Sequence, residues 1–163
     1  MPTAKPKPVK KPVAKATAKK KPAAKPKPVK KTIATKKEMI IVRVNNVPGK
    51  MAEVLGILAD SGVELWANAC FTDELLATVM LIPENASKAK NSLKKANLTD
   101  IKISEAVIVV SKGGTKASHM LARKIAETGI NISYTFASSY VGSQFTTVFQ
   151  TDNNTAAVRA LNK

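Results

Sequence analysis

From residue 38 onward the chain is written twice. Residues 38–44 read EMIIVRV and residues 105–111 read EAVIVVS; residues 58–65 read LADSGVEL and residues 125–132 read IAETGINI. These stretches are offset by 67 residues, and the offset becomes 68 where residues 79–93 align with 147–161. The second copy therefore carries one additional residue in a hairpin. A repeat of this length implies two small adjoining modules of the same architecture rather than one unrelated fold.

Each copy presents the same order of signals. In the first, residues 39–44 form a short apolar run suited to a buried strand, and residues 45–49 form a turn. Residues 50–61 place Met51, Val54, Leu55 and Leu58 on one helical stripe. Gly62 follows at a helix C′ position, as Gly129 does in the second copy. Residues 63–71 and 75–82 read as strands joined by a Thr72–Asp73–Glu74 turn. Asn85 is placed to cap a second helix with Ala89, Leu93 and Ala96 inward. Residues 100–110 form one long strand that closes the first copy and opens the second. The order β-α-β-β-α-β predicts an α+β fold of two ferredoxin-like modules side by side, at 38–105 and 106–163. The second copy stops at Lys163, after its second helix, and lacks its last strand. The unpaired edge predicts a partner strand there, and hence a homodimer.

The net charge of +16 is not a property of the repeats. Residues 1–37 hold 14 lysines and no acid, whereas the remainder carries 13 Lys plus Arg against 11 Asp plus Glu. The octapeptide AKPKPVKK occurs at 4–11 and again at 24–31, and seven prolines interrupt the segment. Like charges repel, proline removes amide donors, and little apolar area is available to offset ordering entropy, so 1–37 reads as a disordered tail. Its lysines, Lys5, Lys7, Lys10, Lys11, Lys19, Lys20, Lys21, Lys25, Lys27, Lys30 and Lys31, suit non-specific contact with DNA or RNA phosphates. A merely solvated linker is the competing reading.

Several classes are disfavoured. Cys70 is the single cysteine, so no intramolecular disulfide forms. No apolar run approaches the ~20 residues of a membrane helix, and a soluble cytoplasmic protein is the expectation. His119 is the lone histidine and has no second ligand at metal spacing; it reads as a surface or half-buried residue. Cys70 reads as a small apolar packing residue, and Tyr134, Phe136, Phe145 and Phe149 as sheet packing. No P-loop, dinucleotide glycine pattern or acid/base constellation is present, so neither enzymatic activity nor a cofactor is expected.

The turn after the first strand carries the functional signal. Asn46-Val47-Pro48-Gly49 leads into a helix start, where free amides and a partial positive charge suit a carboxylate or phosphate. A strand, Asn-x-Pro-Gly-Lys, an amphipathic helix ending Leu-Ala-x-x-Gly-Val and a strand pair together resemble the ACT domain, and Gly129-Ile130-Asn131-Ile132 resembles its Gly-Ile-Asn-Ile signature. The resemblance spans 39–161, and the two-copy arrangement is similar to small stand-alone tandem ACT proteins. It implies a regulatory module that binds an amino acid or similar small anion between domains. Carried over, the ligand residues are Asn46, Val47, Pro48, Gly49, Lys50 and Met51 at the turn, with Glu64, Leu65 and Trp66 supplied by the second strand of a neighbouring domain. In copy two they are Gly113, Gly114, Thr115 and Asn131, with Thr115 at the proline position and suited to cap the helix; equally, this second site is dead. The resemblance implies a non-enzymatic amino-acid-binding regulator. Its alternatives are a nucleic-acid-associated protein whose modules only dimerise and a regulatory subunit of an amino-acid biosynthetic enzyme.

Overall fold

Strand pairing in the computed structural model begins at Ile33, inside the segment that the lysine content assigns to the tail. The described residues are 33–112, 114–140 and 144–163. Gly113 and the candidate polyanion-binding lysines Lys5 to Lys31 lie outside them. The elements run β1 (Ile33–Asn45), α1 (Lys50–Asp60), β2 (Leu65–Thr72), β3 (Leu76–Pro83), α2 (Ala86–Lys95), β4 (Ile101–Lys112), α3 (Thr115–Ala126), β5 (Ile132–Tyr140), β6 (Gln144–Thr151) and α4 (Asn154–Asn162). The six strands form one antiparallel sheet in the order β2-β3-β1-β4-β6-β5.

The two ferredoxin-like modules interlock through the central strands. β1 pairs with β4 from Ile33↔Val110 to Val42↔Ile101. The second half of β1 is the first strand of module one. Its first half, from Ile33 to Lys37, occupies the place of the last strand that module two lacks. The expected open edge on β4 is therefore closed by the chain itself, and the dimer contact predicted there is overturned. The strand begins five residues before Glu38 because pairing is a backbone property. Only Ala34 of this stretch needs to be buried, and Lys36 and Lys37 tolerate the strand with their side chains outward. Glu38 pairs with Glu105, its own equivalent in the repeat, and marks the pseudo-twofold centre of the sheet. Lys36 Nζ lies 3.1 Å from Glu105 Oε2 and offsets part of that like-charge contact.

Strand alternation sends residues to two faces. On one face Val42, Val44, Val79 and Leu81 pack beneath Val54 and Leu58 of α1 and Ala89 and Leu93 of α2. The equivalent cluster of module two joins Val107, Val109 and Phe149 to Leu121, Ile125, Ala157 and Leu161, and takes in Ala34 from β1. Each fully buried large apolar side chain contributes about 1.5–3 kcal/mol by removal from water. The helix-free face has its own core of Met39, Met80, Ile82, Ala106, Ile108 and Val148. The sheet curls so that Ala67 and Ala69 of β2 and Tyr134 and Phe136 of β5 close over it.

Local signals match the sequence at several points. Asn85 caps α2, its side chain accepting from the Lys88 amide at 2.9 Å, and Gly62 and Gly129 adopt φ of +62° and +73°. Three expectations fail. Ala96, expected inward on α2, is its exposed C-cap residue, past the end of the helical stripe. Thr115 does not cap α3: Gly114 holds the N-cap position, no side chain caps it, and the Gly114 carbonyl accepts from Ala117 and Ser118. Cys70 does not pack as a core residue, because it faces outward on the outermost strand β2 and is exposed.

Candidate functional site

The turn of module one is held by its own backbone. The Asn46 amide donates to the Leu75 carbonyl at 2.9 Å, and Asn46 Nδ2 donates to the Asp73 carbonyl at 3.3 Å. This fastens the turn to the β2–β3 hairpin. Gly49 is the N-cap of α1 at φ +90°, a left-handed conformation that a side chain resists although open space surrounds it. Lys50 pairs with Glu53 at 2.7 Å, while Met51 packs against the module-one core. Asn46 and Val47 line an open groove of about 880 Å³ with Glu74, Leu75 and Leu76.

Within one module, Glu64, Leu65 and Trp66 lie away from this turn. Leu65 lies opposite Pro83, whereas Asn45 lies opposite Leu76, and seven residues of strand separate those rows by about 23 Å at 3.3 Å per residue. Leu65 packs on the helix-side core, and the Glu64 carbonyl accepts from the Glu84 amide at 2.9 Å. Trp66 is half-exposed, with Lys37 Nζ 5.2 Å from its ring centroid. Within one module the turn and the second-strand residues form two separate surfaces.

Module two presents a different arrangement. Between α3 and the β5–β6 pair runs a groove of about 430 Å³, lined by Thr115, Ser118, His119, Thr135, Thr147 and Phe149 among others. Thr147 is 3% exposed, and its Oγ1 has no hydrogen-bond partner among the described residues; the Oγ of Ser111, equally buried, has none among them either. Such hydroxyls are costly in a core unless something bonds them. The repeat explains how the hollow arises. The equivalents of Ser111 and Thr147 in module one are Val44 and Val79, both core residues, and those of Ser118 and Ala122 are Met51 and Leu55, which fill the corresponding space. Module two has exchanged apolar bulk for hydroxyls under the start of α3, where the Thr115 and Lys116 amides precede the first intrahelical bonds. Thr115 thus belongs to the groove, Gly114 adjoins it, and Asn131 sits at the end of β5 remote from the α3 start, where its backbone pairs with Asp152.

Sequence reading named Thr115 but missed Ser111, Ser118, Thr135 and Thr147. The available signal was the comparison of the copies: polar residues in one at positions that are apolar core in the other. Among the described residues no group of three or more His, Cys, Asp or Glu side chains is placed to hold a metal ion. No described helix is long and apolar enough to cross a membrane.

Two ferredoxin-like modules sharing one sheet, with helix starts opening on grooves, define a paired ferredoxin-like fold. The sequence matches the ACT domain pair family over residues 34–162, and the chain belongs to that family. No curated protein matches it. Among solved structures, the protein BT0572 from Bacteroides thetaiotaomicron is similar at TM-score 0.71 and 18% identity, covering 78% of this chain and 88% of that one. The regulatory subunit of aspartate kinase from Thermus thermophilus, in its ligand-free form, is similar at TM-score 0.60 and 16% identity, covering 80% of this chain and 93% of that one. A structure of aspartokinase alpha and beta subunits follows at TM-score 0.57 and 19% identity, covering 79% and 94%.

Proposed function

We propose that the chain is a regulatory protein whose ACT pair binds a small polar amino acid beneath α3 and passes that occupancy to an amino-acid biosynthetic enzyme on a separate chain. The observation that carries the ligand site is the buried, unpartnered Thr147 hydroxyl facing a hollow that module one fills with apolar side chains. A ligand carboxylate would meet the free amides at the start of α3, and a polar side chain would satisfy Thr147 and Ser118. The likeness to a kinase regulatory subunit over most of its length supports a partner enzyme rather than a lone sensor or a purely structural module. Binding acts by favouring the sheet and helix arrangement that the ligand contacts best.

Titration calorimetry of the twenty amino acids against the full chain tests this. Saturable heat for serine- or threonine-sized polar ligands, abolished in a Ser111→Val, Thr147→Val double variant, is expected. Absence of heat for every amino acid at millimolar concentration would refute ligand binding, and failure to co-purify with any biosynthetic enzyme would remove the partner.

The lysine-rich segment supports a second role, a non-specific tether to nucleic acid. Retention on a DNA column should fall steeply with salt and vanish when residues 1–32 are deleted, a cut that leaves β1 whole. Retention that survives the deletion would refute the tether. A homodimer in this reading forms through outer strand β2, with half-exposed Trp66 at the contact. Sedimentation of a Trp66→Ser variant as the same dimer would exclude that surface.

A further inference from the structure

Between α3 and α4 runs a groove of about 420 Å³ that shares no residue with the sites above. Its lining includes Lys124 from α3, Ala156, Arg159 and Ala160 from α4, and Lys163 just past the end of α4. The two alanines leave low ground between the helices. Arg159 and Lys163 are one helical turn apart on one wall, and Lys124 comes from the other. Among the described residues none of these three cations joins an ion pair. Glu127, the acid in the lining, is paired with Arg123 at 2.8 Å.

The fold does not demand this arrangement. The repeat aligns Lys124 with Ile57, Ala156 with Lys88 and Arg159 with Asn91. Ile57 packs against the core of module one, and Lys88 reaches across to the Gly62 carbonyl at 3.1 Å. Module one closes the space with an apolar side chain and a bridging lysine. Module two sets a half-buried cation in place of the first and an alanine in place of the second. The groove also lies where the lysine-rich segment joins the fold. Both backbone groups of Ala34 are bonded to Asn162, the neighbour of Lys163. Residues 1–32, with 12 lysines and no acid, are therefore attached beside the groove. A segment of that length, extended, spans roughly 100 Å. A small free anion would use none of this length, whereas duplex DNA, with a charge per ~1.7 Å of axis, engages all of it. No aromatic side chain lines the groove to enter a lipid surface.

We infer that the α3–α4 groove seats the phosphate backbone of duplex DNA. Lys124 meets the strand from one wall, Arg159 and Lys163 from the other, and the lysine-rich segment continues along neighbouring phosphates. The inference rests on the nucleic-acid tether and gives it a fixed contact on the folded unit. Three contacts release too few counterions to hold DNA alone, so the segment supplies affinity and the groove sets how the ACT pair stands on the duplex. Phosphate contacts fix register and orientation without reading bases, so binding is independent of sequence.

Fluorescence anisotropy of a labelled random-sequence DNA duplex measures binding of the full chain at about 50–200 mM salt. A Lys124→Gln, Arg159→Gln double variant is compared with Arg43→Gln, Lys102→Gln, which removes the same two charges from the helix-free face. Melting curves confirm that both fold. The groove variant should bind at least about fivefold more weakly, and its slope of log affinity against log salt should be shallower by about 2. The charge-matched variant should stay close to wild type. DNA should also protect Lys124 and Lys163 from acetylation while Lys102 stays reactive. No binding by the wild type refutes tether and groove together. Wild-type binding with the two double variants alike in affinity and slope refutes the groove and leaves the tether standing. Lys124 acetylated as fast with DNA as without overturns the groove equally. Tighter binding to phosphatidylserine vesicles than to the duplex, with the same loss in the groove variant, would make this a lipid site and overturn the assignment.

Discussion

Asn162 holds Ala34 by both of its backbone groups: the Ala34 amide donates to Asn162 Oδ1 at 2.9 Å, and Asn162 Nδ2 donates to the Ala34 carbonyl at 2.9 Å. The last turn of the last helix thereby fastens the start of the first strand. Ala34 is buried in the core of module two, so its backbone has little water to turn to. Replacement of Asn162 by Ala should destabilise the chain by about 1–3 kcal/mol, the cost of leaving partly buried backbone groups unpaired. Chemical denaturation of the two proteins measures it. Amide exchange should quicken first at residues 33–37, and uniform exchange rates would contradict the clamp.

Deletions on either side of Ile33 should differ sharply. Removing residues 1–32 leaves every described pair of β1 intact, and the melting temperature should hold. Removing 1–37 strips β4 of its partners for Ala106 to Val110, leaving an open edge prone to intermolecular pairing. That protein should melt lower and sediment as a larger species. Two truncations with the same melting temperature would show that the Ile33–Lys37 strand is not needed.

The orphan hydroxyls under α3 predict a trade between stability and binding. Ser111→Val and Thr147→Val install the residues that module one uses at these positions and remove buried groups that cost about 1–3 kcal/mol each when unbonded. Both variants should melt higher than wild type while losing the polar ligand. A loss of stability would mean that the hydroxyls are satisfied in the resting protein and are not held for a guest.

Burial raises the Tyr134 phenol above the usual tyrosine range. The fold favours its neutral form, so the stabilisation is complete below the ordinary tyrosine value near 10 and is lost as pH climbs through the raised folded value. Ultraviolet titration in a Tyr140→Phe background should show tyrosinate forming late, and Tyr134→Phe should flatten the alkaline decline in stability. Titration at or below the free-tyrosine value would contradict this.

The duplicated βαββα order was readable because it rests on periodicity and on turn chemistry, as at Asn85 and Gly62, which act within a few residues of themselves. The start of β1 was not. Lys36 and Lys37 sit on a strand whose stability comes from backbone pairing with β4 and from one buried alanine, neither of which leaves an apolar signature. The helix-start turn at Asn46 to Met51 was legible as a local motif. Thr147 and Ser111 each look like ordinary strand residues and become informative only beside Val79 and Val44.

β1 and β4 are each a single unbroken rod belonging to both halves. A push on the Ser111 end of β4 is a push on the Lys102 end, with no linker to absorb it and no hinge to bend. A ligand bound in one half would therefore strain the other through these shared strands. For the same reason a gene fragment holding one copy of the repeat would encode a sheet with a missing member, so the two halves persist together or not at all.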